Sequence, residues 1–119
     1  MKIIGIDQER SSPADGMGER YLELDDYPPG EWSQFFDNVH AHYFSTSKRR
    51  ARVDGKYLVV ICPLDEIQHQ INELKAQVIN ANKQHEEYLI QRQRDQDAYE
   101  AALKEQKNKA QDVFKKLDF

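Results

Sequence analysis

The chain has 119 residues, of which 39% are apolar and 32% charged, and a net charge of −4 from 17 basic and 21 acidic side chains. That is material for one small domain, and with no run of 18 apolar residues it excludes a membrane-spanning helix. The single cysteine, Cys62, excludes an internal disulfide framework, and the even spread of charge selects neither an acidic tail nor a basic nucleic-acid module.

The apolar opening Ile3-Ile4-Gly5-Ile6 is too short for the core of a secretory signal and reads as a strand over 2–6. With one unpaired cysteine, this makes the cytoplasm the expected location. Residues 9–18, with Pro13, Gly16 and Gly18, are polar and read as a loop. Tyr21 to Asp25 alternates, placing Leu22 and Leu24 on one face of a half-buried strand that Pro28, Pro29 and Gly30 end.

A helix is predicted over 30–44, where Trp32, Phe35, Phe36, Val39 and Tyr43 recur at helical spacing. Two extended runs follow, 49–53 and 56–61, separated by Asp54-Gly55. That dipeptide predicts a two-residue type I′ hairpin. In the second run Tyr57, Val59 and Ile61 share one face and Leu58 and Val60 the other, as in a central strand covered on both sides.

From Leu64 to Phe119 there is neither glycine nor proline, and helix formers dominate, so residues 64–119 read as one long helix. Ile67, Ile71, Leu74, Val78 and Ala81 form a heptad-like seam. The same register then meets Arg92 and Asp95, giving a polar waist near 91–97. Apolar residues resume as Tyr99, Leu103, Val113, Phe114 and Leu117. Three architectures fit: a first block packed on the sheet of its own chain with a distal block reaching another protomer, a hairpin bending near 91–97, or a continuous parallel dimeric coiled coil. Arg92 and Asp95 at core positions argue against the last.

Candidate chemistry is sparse. His40 and His42, two apart on a helix, diverge; Asp65, His69 and Glu73 share a helical face but lack a fourth ligand at defined spacing. Cys62 fits a buried small side chain better than a nucleophile. Gly16 and Gly18 lack the rest of a phosphate loop, and Glu23, Asp25 and Asp26 have no facing set of acids. The strip Lys48, Arg49, Arg50 and Arg52 is the feature best suited to anions or nucleic acid, set against a charged edge strand that resists aggregation.

The reading is therefore an α+β protein: a small antiparallel sheet with one short amphipathic helix and a long, coiled-coil-like C-terminal helical arm. Residues 1–63 form a β-β-α-β-β head. Residues 64–119 form the helix, its first part packed on the head. The expected role is non-catalytic protein–protein interaction, with a homodimer or a helical protein partner held through Tyr99, Leu103, Val113, Phe114 and Leu117. No cofactor, metal or membrane is implied. The alternatives are a nucleic-acid-associated regulator using the basic hairpin and, third, a small enzyme.

Overall fold

The alternation read around Tyr21 is real and starts earlier than expected. In the computed structural model, which describes residues 1–119, it belongs to strand β2, Gly18–Leu24. With β1 (Ile3–Ile6), β3 (Ala51–Asp54) and β4 (Tyr57–Cys62) it forms one antiparallel sheet in the order β1-β2-β4-β3. β4, apolar on both faces, is indeed interior. Leu22 lies opposite Leu58, and Arg20 opposite Val60. Leu22, Leu24, Leu58, Val60 and Cys62 belong to the buried core.

Helix α1, Gly30–His42, contributes Trp32, Phe36 and Val39 to that core, with Phe35 partly buried against it. The ring of Phe36 stacks between those of Trp32 and His40, with centroids 5.6 and 5.8 Å away. Pro63 precedes a short 3₁₀ turn, Leu64–Glu66. Helix α2 then runs from Ile67 to Lys115 without a break at 91–97, so the helical hairpin is ruled out. The helix stops short of the predicted Phe119; the amides of Lys116 and Leu117 close its end on the carbonyls of Val113 and Phe114.

The chain divides into two compact units, Met1–His85 and Glu86–Phe119. Within the first, Leu74, Val78 and Ala81 of α2 are buried in the core, and Ile67 and Ile71 pack against it. The buried face is wider than the apolar seam, because Gln70 and Gln77 are also buried. Gln70 Nε2 donates to the carbonyl of Ser47. Gln77 Oε1 lies 2.7 Å from His40 Nδ1, while His40 Nε2 accepts the Ala51 amide at 3.0 Å. Accepting at Nε2 puts the proton of neutral His40 on Nδ1, where it donates to Gln77.

The hairpin differs from expectation by one residue. Asp54 pairs with Tyr57, so Gly55 and Lys56 form the loop. Gly55 has φ +55° and no non-glycine residue has positive φ. Positive φ at the first loop position alone is the type II′ requirement, and glycine there meets it; type I′ needs it at both. Asp54 thus ends the strand instead of starting the turn.

The largest surprise is Arg20, fully buried on the core face of β2. Its Nε donates to the carbonyl of Cys62 at 3.2 Å, and Nη2 to those of Ala14 and Gly16 at 2.8 and 2.9 Å. Nη1 donates to the carbonyl of Ser12. Gly18 permits this wrap, since a Cβ there would lie 2.7 Å from Ser12 Cβ.

Trp32, 1% exposed, also donates from Nε1 to Asn82 Oδ1 at 2.7 Å. Trp32→Ala is expected to lower stability by about 3–5 kcal/mol, read as a shift in urea midpoint. Arg20→Met, which leaves four carbonyls without their donor, is expected to cost on the order of 3 kcal/mol. It should also open the 12–16 loop to proteolysis, measurable as a faster cleavage rate under native conditions.

Candidate functional site

Two of the four cations of the basic strip are paired with carboxylates within the fold. Arg49 grips Glu66 through Nε at 3.0 Å and Nη2 at 2.9 Å, a two-pronged contact. Arg52 pairs with Glu19 at 3.3 Å across the sheet, and Lys48 Nζ reaches the carbonyl of Ala41 at the end of α1. Arg50 is exposed at the start of the edge strand β3. Arg49 and Lys48 thus fasten the connection 43–50 to α2 and α1, Arg52 ties β3 to β2, and Arg50 stays exposed beside the sheet edge.

The stripe Asp65, His69, Glu73 also separates. His69 and Glu73 come together, His69 Nε2 lying 3.3 Å from Glu73 Oε1, but their other partners are Ser45 and Ser47. Ser47 Oγ is 2.8 Å from the same His69 nitrogen and 2.9 Å from the same Glu73 oxygen. A serine nucleophile relay needs the carboxylate on the opposite ring nitrogen from the hydroxyl. Here serine, imidazole and carboxylate meet at one point, which caps a mostly buried glutamate and ties the connection to α2. No group of three or more His, Cys, Asp or Glu side chains is placed to hold a metal ion.

Asp7, Tyr57 and Asn82 are likewise engaged within the fold, whereas His85 Nε2 is buried without a hydrogen-bond partner. Asp7 accepts the amides of Glu9 and Arg10 and the hydroxyl of Tyr57. The Arg10 amide first, then the Tyr57 hydroxyl, hold its carboxyl below the usual range, and donating to Asp7 holds the Tyr57 phenol above its own. Burial pushes the Cys62 thiol up, which suits a packing role. A shallow groove of about 460 Å³ lies between the start of β1 and α2, lined by Met1, Ile3, Lys75, Val78, Ile79 and Asn82. Its Asn82 is already taken by Trp32 and by the amino group and carbonyl of Met1.

Glu86–Phe119 presents a different surface. Every residue in it is exposed except Ala110, which is intermediate. Tyr99, Leu103, Val113, Phe114 and Leu117 are 38–66% exposed. To these the structure adds Leu89, at 45%. Continuing the register of 67–81 puts Tyr88, Arg92 and Asp95 on the seam, which is why a polar waist was expected. Two successive steps of four, Ala81 to His85 to Leu89, change the phase, as a stutter does. From there the positions Leu89, Gln96, Leu103, Ala110 and Arg92, Tyr99, Gln106, Val113 interleave as the two core positions of a heptad. Phe114 flanks this seam, and Leu117 lies just beyond the helix end. The waist shrinks to Arg92 and Gln96. The missed signal was the four–four spacing, visible only when the phase is allowed to shift.

No helix is long and apolar enough to cross a membrane. Comparison with protein-family models, with curated proteins and with solved structures finds no match for this chain.

Hydrogen bonding from Arg49 holds the Glu66 carboxyl below its ordinary 4.5. A carboxyl depressed in the folded state adds stability above its unfolded value and loses it as pH falls through the folded one. Glu66→Gln removes that contribution. The urea midpoint of the parent should exceed that of the variant near neutral pH, and the two should converge as pH drops below 4.5. A gap that persists in acid assigns the loss to another cause.

Proposed function

We propose that this is a non-catalytic interaction protein whose contact element is the helical segment Glu86–Phe119. On this reading the unit Met1–His85 serves as the folded head, and the segment pairs with a second copy of the chain. One observation carries the reading: Leu89, Tyr99, Leu103 and Val113 recur at heptad spacing on an unbroken helix, yet each is substantially exposed in the single chain. Such a face gains from a helical partner. Hiding roughly 400 Å² of apolar surface at about 25 cal/mol per Å² is worth on the order of 10 kcal/mol before ordering and association costs. A C2 dimer is the commonest closed arrangement for a self-complementary surface. Within the head, Arg49 and Arg52 pair with Glu66 and Glu19, His40 with Gln77 and Glu73 with Ser45, which fits a scaffolding role.

Light scattering coupled to size exclusion on the full chain at micromolar concentration is expected to give the mass of two chains. Leu103→Asp and Val113→Asp should each give the mass of one, with the near-ultraviolet spectrum of Trp32 unchanged. A parent that runs as one chain, or a dimer indifferent to both substitutions, overturns the assignment.

A further inference from the structure

Given self-association, the distribution of charge along the exposed seam specifies its direction. We propose that the segment 89–113 pairs antiparallel with the same segment of a second copy, centred near Ala101. This rests on the self-association reading above and adds orientation and register to it.

The parallel alternative places each seam residue opposite itself. Arg92 would face Arg92 of the second copy in the core, while Gln96 and Gln106 would each face their own copies. In a parallel pair Asp95 and Lys109, which precede the Gln96 and Ala110 layers, each meet the residue five further along on the other chain. That sets Asp95 against Glu100, and Lys109 against Phe114. No flanking contact is attractive, and two like-charge contacts are built in.

Reversing one chain about Ala101 changes each pairing. Leu89 then shares a layer with Val113, and Leu103 with Tyr99, each twice by symmetry. Gln96 meets Gln106, so amide satisfies amide. Arg92 meets Ala110, the small residue whose methyl leaves room for the guanidinium to run out to water along its stem. Asp95 comes beside Lys109 of the other chain, again twice. The one unfavourable approach is Glu100 near its own copy at the solvated rim, where Lys104 follows one turn later on each chain.

The observed helix end selects this register over the next antiparallel one. Shifting by one heptad would set Leu117 in the core and Lys116 at its flank, but α2 ends at Lys115. The register centred on Ala101 uses residues 89–113 alone, all within α2. It also sets Leu89 against Val113, Leu103 against Tyr99 and Gln96 against Gln106, leaving Arg92 against Ala110 as the one mixed layer, whereas the shifted register sets Leu103 against Gln106.

Two measurements on the full chain test this. Leu89→Cys and Val113→Cys chains are prepared separately and mixed in a glutathione redox buffer. The antiparallel pair yields a mixed disulfide between the two variants and little self-linking of either alone. Self-linking of Leu89→Cys without the mixed product overturns the orientation while leaving the dimer. A chain that sediments as a monomer and forms neither product overturns the self-association itself. Charge reversal gives an independent reading by sedimentation equilibrium. Asp95→Lys and Lys109→Asp should each weaken the dimer several-fold, and combining them should restore it. If Asp95→Lys alone tightens the dimer, Asp95 faces Glu100 and the helices are parallel.

Discussion

A guanidinium buried without a carboxylate is costly, because no opposite charge offsets its loss of water. Arg20 occupies such a site, its polar atoms directed to the carbonyls of Ser12, Ala14, Gly16 and Cys62. A guanidinium's fan of N–H donors can serve several oxygens at once, and carbonyl dipoles aimed inward replace its hydration. The consequences run outward from there. The 12–16 loop is folded against the end of β4, and the carbonyl of Asp15 in that loop accepts the amide of Leu64. That amide opens the 3₁₀ turn leading into α2. The entry of the long helix, and so the seating of Leu74, Val78 and Ala81, is thereby tied to one side chain on β2.

A second clamp closes the opposite stretch of α2. Asn82 Oδ1 accepts from Trp32 Nε1 and the amino group of Met1, and its Nδ2 donates to the carbonyl of Met1. Together with the Gln70–Ser47 and Gln77–His40 contacts, it gives the buried side of α2 a polar lining around an apolar stripe. Apolar packing tolerates sliding by a turn; hydrogen bonds from side chains of fixed length do not. These amides set the axial position of α2 on the sheet, a role the apolar stripe alone performs poorly.

This divides what the sequence disclosed from what it hid. Periodicity reports which side of an element is apolar, so the strands, both helices, the interior place of β4 and the burial of Trp32 were legible. Arg20, Gln70, Gln77 and Asn82 were not, because each is polar by composition and its partner lies on another element. Nothing local distinguishes Arg20 from a solvated arginine. The same blindness hid the partners within Lys48, Arg49, Arg50 and Arg52: Glu66 and Glu19 approach two of these cations only in the folded chain. The hairpin slipped by one residue for a different reason. Asp-Gly favours a type I′ loop locally, yet pairing Leu22 and Val53 with Leu58 buries the core side of both neighbouring strands. Strand register prevailed over the preference of the dipeptide.

Helix α2 uses near-heptad spacing twice, with different chemistry each time. In Ile67 to Ala81 the apolar stripe is met by a sheet whose shape is fixed, so amides outside the stripe can be buried and matched one to one. In Leu89 to Val113 the seam itself carries Arg92, Gln96 and Gln106 at core positions. Polar residues there cost affinity and restrict the partners accepted, since a mismatched partner leaves a buried amide or guanidinium unsatisfied. A wholly apolar seam would bind many amphipathic helices in either direction. The interrupted one is suited to a partner with matching interruptions, and on the proposed reading a reversed second copy sets Gln106 against Gln96 and small Ala110 against Arg92.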